Sequence, residues 1–183
     1  MAALPPAGPP PAAQPASAPV PAAGWEVPAD ASLGPAPGVL FASPGARLGA
    51  YVVDILVQVG VAIVVFVIAG VVAGAAALTD SGLLQGSAII VGVLAILVYF
   101  LWTIFYFPYF WARGGQTPGM RVTHVKVVRD VDGGPVAFGP AFLRLVGYWV
   151  NNLTFYIGFV WIFVDKRRRG WHDLIAGTCV IEA

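Results

Sequence analysis

Three stretches without a single charged side chain constrain this chain more than anything else in it: residues 55–79, 81–112 and 145–164, of 25, 32 and 20 residues. An α-helix rises about 1.5 Å per residue and the hydrocarbon core of a bilayer is about 30 Å thick, so about 20 apolar residues suffice to cross it. Each stretch reaches that length. Composition agrees, since 58% of the 183 residues are hydrophobic and 10% charged, whereas soluble domains carry about 25% charged residues. The sequence predicts an all-α integral membrane protein with the lipid bilayer as its first partner. A net charge of +1, with most Lys and Arg flanking apolar runs, leaves no basic surface for nucleic acid. Cys179 is the only cysteine, so no intrachain disulfide forms, and the thiol reads as ordinary small packing.

The first 44 residues hold 12 of the 16 prolines. Such a composition cannot bury enough apolar surface to offset the entropy of ordering, so 1–40 reads as a disordered, partly polyproline II tail. It is a plain tether or a docking segment for a protein partner. No Lys or Arg precedes Arg47, so a cleaved secretory signal is not expected, and the first spanning helix serves as its own insertion signal.

Past the tail, one transmembrane helix is expected over about 45–78 and a second over about 84–111, joined by the turn "TDSG". The second ends in "YFLWTIFYFPYFW", nine aromatics in 13 residues, as at a headgroup belt; Pro108 within it is placed to kink or end the helix. The loop 112–140 is water-compatible. In it Thr117 and Pro118 form a helix-start signal. "VKVVRDVDGGPVAF" reads as a small hairpin turning at Asp132-Gly133-Gly134-Pro135, to which the strand-like "TCVIE" adds.

The third membrane segment, 141–164, reads in two ways. Arg47, Arg113, Arg121, Lys126, Arg129 and Arg144 fall on one side of the two-helix hairpin, and only Asp80 occupies the opposite turn. Basic residues concentrate on the cytoplasmic side, so that side, with the N-terminus, is expected to be cytoplasmic in a multi-pass protein. A full crossing by 141–164 puts Lys166 to Arg169 outside; a re-entrant hairpin keeps all ten basic residues inside. The central Asn151 and Asn152 favour re-entry.

Within the first span, Arg47, Asp54 and Gln58 fall within about 60° of one another on a helix, with Tyr51 beside them. If Arg47 sits at the headgroups, Asp54 lies about 10 Å deeper, where a lipid-facing carboxylate costs at least about 2.5 kcal/mol. It must face protein or trapped water. It is either a clamp, paired with a cation or hydroxyl on a neighbouring element, or an ion or proton site. Near the C-terminus, "KRRRGWHDLIAGT" places His172 and Asp173 in the first turn of a short helix ending at Gly177. Asp173 either caps that helix, reaches back to Arg47, or does both. The chain contains only two histidines. No metal site, no cofactor motif and no nucleophile motif is present, and no enzyme is expected.

Together "ARLGAYVVDILV", "GGQTPGMRVTHVKVV", "GPAFLR" and "RRGWHDLIAGT" resemble the RDD family of small bacterial membrane proteins over about residues 41–182, which sets 41–183 apart as the folded membrane domain. The resemblance implies that Arg47, Asp54 and Asp173 are the arginine and two aspartates of the family's name, with Thr117, Gly119, Arg144, Gly177 and Thr178 at its other motif positions. It also implies a candidate transport role, cation/proton exchange or passage of a small ligand. Two spans enclose too little for a path, so transport requires a homo-oligomer, for which Gly70, Gly74 and Ala75 to Ala77 offer close packing. The alternative is a non-transporting structural or adaptor protein whose polar triad holds the helices and whose tail recruits a partner.

Overall fold

A computed structural model describes residues 34–36 and 38–183; most of the expected proline-rich tail lies outside the described residues. Helix α1 spans Pro44–Ala77 and α2 spans Gly82–Gly114. Each starts where the sequence supplies a cap: Ser43 Oγ accepts the Ala46 N–H at 3.1 Å with Pro44 at the first helical position, and Ser81 Oγ accepts the Leu84 N–H at 3.4 Å. Helix α2 runs through Pro108, which neither ends it nor reaches the surface, and stops at Gly115, whose φ of 73° few other residues adopt.

At 34 residues α1 is about 51 Å long, some 20 Å more than the hydrocarbon requires. The excess has a place. The most apolar 18 residues of α1 are nowhere buried, while the protein's core of Ala42, Ala50, Trp111, Met120, Val125, Val127, Val136, Ala141 and Val180 gathers around one end of the α1–α2 hairpin. The molecule is thus a long apolar hairpin with a polar cap built around the start of α1 and the end of α2.

The cap contains α3 (Pro118–Val122), β1 (Val125–Arg129), α6 (Trp171–Ala176) and β2 (Thr178–Glu182). Strands β1 and β2 pair antiparallel with Val127 opposite Val180. The expected hairpin about Asp132–Pro135 is a turn without a second strand. Arg129 and Gly133 exchange backbone bonds with Gly134 and Arg129 at 2.9 and 3.0 Å, but the following run is only Pro135 to Ala137 before α4 begins at Phe138, and Val136 turns into the core. The "TCVIE" segment occupies the place of the missing strand. Its far edge is covered in turn by the stretch before α1, where Ala42 N–H donates to Val180 O and Glu182 N–H to Leu40 O, both at 2.9 Å.

The third apolar stretch is broken. Helix α4 (Phe138–Leu153) is followed by a reversal at Phe155 and Tyr156, both at positive φ, and then by the short α5 (Ile157–Val160) with a 3-10 turn to Phe163; the two halves meet at 112°. Both ends return to the cap. Arg144 of α4 donates to Thr178 of β2 at 2.8 Å, and Arg167, beyond α5, pairs with Asp130 at 2.8 Å. A full crossing would place Lys166 to Arg169 on the other side of the membrane from Asp130, so the Arg167–Asp130 pair favours the re-entrant reading over three spans. All ten basic residues lie on the cap side.

Candidate functional site

Two buried carboxylates tie α1 and α6 to the rest of the cap. The first is Asp54, whose α1 position faces α2 and α3 and is 1% exposed. Tyr106 Oη and the Gly119 N–H donate to its Oδ1, each at 2.9 Å, and Thr117 Oγ1 donates to its Oδ2 at 2.5 Å. Thr117 also caps α3, accepting the Met120 N–H at 3.2 Å. Its single hydroxyl proton is therefore directed at Asp54. Gly119 allows the approach, because a Cβ there would stand 2.0 Å from the Ala50 carbonyl oxygen. Among the described residues, no basic side chain is a partner of Asp54. The 23 residues from Ile55 to Ala77 already cover about 34 Å, so Asp54 stands at the cap-side end of the apolar part of α1.

The second is Asp173, fully buried. Arg47 Nη1 reaches its Oδ2 at 2.8 Å, Arg144 Nη1 pairs with its Oδ1, and the Gly170 N–H donates to Oδ2 at 3.0 Å, so that the carboxylate caps the start of α6. Capping and pairing with Arg47 are thus the same arrangement. Arg144 also lies over the Trp111 ring, 4.9 Å from its centroid, and donates to Thr178 Oγ1. Burial alone would push the Asp173 carboxyl up, but Arg144 and Arg47 hold it well below the usual carboxylate range. His172 is the reverse case: burial pushes its imidazole down to about 3, so the ring is neutral. Its Nδ1 faces Asn151 Nδ2 at 3.0 Å and its Nε2 faces Asp173 Oδ2 at 3.4 Å. The Nε2–H tautomer serves both. Gly147 and Gly158 make room, since a Cβ at the first would lie 2.5 Å from His172 Cα and at the second 1.7 Å from Asn151 Oδ1.

Arg47, Asp54 and Gln58 all face protein, yet they do not meet one another. Arg47 goes to Asp173, Asp54 to α3, and Gln58 Oε1 accepts from Trp102 Nε1 of α2. Gly177 ends α6 at a φ of 62° and delivers Thr178 to Arg144. Sequence reasoning missed Tyr106 as a partner of Asp54, and Arg144 as the second cation on Asp173. It also missed a further network: Asp130 pairs with Arg167 and Arg169, and Asp165 Oδ2 with Arg169 Nε at 2.9 Å. Asp165 and Arg169 stand four apart on a tight turn, a spacing that could have flagged the pair; Tyr106 carried no signal among nine aromatics.

A two-helix apolar hairpin, a bent third segment and a polar cap locked by buried Arg and Asp side chains define a membrane protein of small, helical type. The chain belongs to the RDD family, whose sequence profile matches residues 41–177. Among curated proteins it is 31% identical over 142 residues to "Uncharacterized protein YxaI" of Bacillus subtilis (strain 168), covering 74% of this chain and 93% of that protein. It is also 26% identical over 85 residues to the "Proline-rich antigen homolog" of Mycobacterium tuberculosis (strain ATCC 25618 / H37Rv), covering 46% of this chain and 34% of that protein. No solved structure matches.

Proposed function

We propose that this RDD protein is a non-catalytic anchor of the bacterial plasma membrane: its hairpin spans, its cap and N-terminus face the cytoplasm, and residues 1–33 present a proline-rich docking segment to a protein partner. The observation that carries this reading is that both buried carboxylates have their oxygens taken up by protein donors, three on Asp54 and, on Asp173, two guanidinium groups and the Gly170 amide. A carboxylate so engaged fixes elements in place. The ten Lys and Arg on one side support the orientation. In this reading no reaction is catalysed and no metal or cofactor is held.

One observation favours a second reading. Among the described residues Asp54 is hydrogen-bonded only by the neutral groups of Tyr106, Thr117 and Gly119, and a buried carboxylate with no paired cation is also a candidate site for a proton or a metal cation. Na⁺- or K⁺-driven proton flux in proteoliposomes, with wild type and Asp54→Asn at equal amount, separates the two. The anchor reading expects no flux from either protein, and a thermal midpoint in detergent lowered in Asp54→Asn by the equivalent of about 1–3 kcal/mol, because Thr117 loses its acceptor. Flux in wild type that disappears in a folded Asp54→Asn protein overturns it in favour of exchange.

A further inference from the structure

Helix α2 ends in a feature that neither carboxylate lock uses. Tyr109, Phe110, Arg113, Gly114 and Arg121 line a cleft of about 230 Å³ where the end of α2 meets α3. Both arginines are exposed. Arg113 Nη1 donates to Tyr109 Oη at 2.7 Å, and its guanidinium stands 5.6 Å from that ring's centroid; its other N–H groups make no hydrogen bond among the described residues. Arg121 makes no side-chain hydrogen bond, and neither arginine has a carboxylate partner among the described residues. In this they differ from Arg47, Arg129, Arg144, Arg167 and Arg169, all of which are paired.

A plainer role exists for Arg113, since a cation in the last turn of a helix complements its dipole. Arg121 also stands in the last turn of its helix, but α3 has only five residues and a correspondingly small dipole, and its side chain lines the same cleft as Arg113. The surface leading to the cleft identifies what fills it. Val98, Leu101, Trp102, Phe105 and Tyr109 are all exposed, at 57%, 44%, 36%, 47% and 46%, and their spacing of three and four places them in one stripe along α2. The stripe runs from the apolar span to Tyr109, one turn below Arg113. An apolar track ending at two unpaired guanidinium groups matches a molecule with an acyl chain and a phosphate.

We propose that this cleft binds the phosphate of an anionic phospholipid, with Arg113 and Arg121 on the headgroup and an acyl chain along the α2 stripe. Guanidinium groups take phosphate oxygens in paired hydrogen bonds, and basic pockets at helix ends on the cytoplasmic side are suited to such headgroups. At about 230 Å³ the cleft is smaller than the roughly 300–1,000 Å³ of sites for drug-sized ligands. The site is independent of whether the protein transports or anchors.

The test is native mass spectrometry of the purified full chain in detergent, titrated with phosphatidylglycerol or phosphatidylcholine, for wild type, Arg113→Gln, Arg121→Gln, the double variant and the control Arg129→Gln. Phosphatidylglycerol is expected to be retained in preference to phosphatidylcholine, weakened about fivefold by each cleft variant and unchanged by the control. Equal retention of the two lipids, or loss no greater in the cleft variants than in the control, overturns the proposal. A second arm adds glycerol 3-phosphate and inorganic phosphate; arginine-dependent binding of these without lipid preference overturns the lipid assignment in favour of a soluble phosphate. A photoreactive phosphatidylglycerol on wild type provides a readout that needs no variant: crosslinks confined to the Val98–Tyr109 stripe support the site, and crosslinks spread evenly over α1 and α2 overturn it.

Discussion

His172 and Asp173 are adjacent and equally buried, yet their surroundings drive them in opposite electrostatic directions. Asp173 is kept ionised by Arg47 and Arg144, so the stability it contributes is present above the ordinary carboxylate range and is lost only as pH falls below about 4. His172 is kept neutral. Its folded-state pKa of about 3 lies below the ordinary 6.5, so the unfolded chain binds the proton first and stability falls as pH drops below about 6.5, by up to about 1.4 kcal/mol per pH unit. Between about pH 6.5 and 4.5 the thermal midpoint in detergent should therefore decline in wild type, and His172→Phe, which fills the space between Tyr148 and Phe159, should flatten that decline. An unchanged slope in the variant would assign the decline to other groups. Removing a cation from Asp173 acts at every pH. Arg144→Met should cost about 3–5 kcal/mol, because a buried carboxylate loses one of two guanidinium partners; a midpoint within a degree of wild type would show that Arg47 alone suffices. The sequence marked Arg47, Asp54 and Asp173 through the family pattern and the cost of burying charge. Arg144 was legible only as a motif position, since nothing local tells a buried arginine in the first two turns of an apolar helix from one that snorkels to the headgroups.

Elements meet here through glycines as much as through charges. Helix α3 has five residues, too few to be stable alone, and it holds its position because Asp54 receives its capping threonine and its second residue, Gly119, lies on the backbone of α1. Gly119→Ala puts a Cβ 2.0 Å from the Ala50 carbonyl. Two backbones cannot yield as a flexible side chain does, so the substitution should lower stability by about 3 kcal/mol or more, seen as reduced membrane abundance and a lower thermal midpoint. Gly70→Ala and Gly74→Ala, whose added Cβ atoms meet nothing within 4 Å, should be harmless to the single chain and serve as controls. Two wild-type-like midpoints for Gly119→Ala and Gly74→Ala would remove the packing role assigned to Gly119. Helix starts at Pro44 and Pro118 were readable because proline and a preceding Ser or Thr act locally. The strand character of "TCVIE" was readable too, but as an addition to a local hairpin and not as the direct partner of β1. A turn at Asp132–Gly134 is a local signal, but pairing with a segment about 50 residues later depends on how α4 to α6 return to the cap, and no local pattern encodes that.

At the scale of the whole molecule the cap decides topology. Hydropathy alone allows a third crossing, because 145–164 is uncharged and long enough; the bend of 112° and the Arg167–Asp130 pair bring its far end back. In this geometry every Lys and Arg lies on the cap side of the α1–α2 hairpin, the strongest orientation bias its ten basic residues allow. It can be read out by single cysteines, since the native Cys179 is fully buried and burial pushes its thiol up to about 12, which makes it a poor target. Cysteines placed at the exposed positions Asp80, Val131 and Lys166 should then divide two ways under a membrane-impermeant maleimide. Position 80 should react in intact cells, while 131 and 166 should react only after permeabilisation. Labelling of 166 together with 80, and apart from 131, would mean that α4 and α5 together cross the bilayer, and the Arg167–Asp130 pair could not then exist in the membrane. Labelling of 131 and 166 in intact cells, with 80 protected, would invert the protein and place its cap, and with it the arginine cleft at the end of α2, at the outer leaflet.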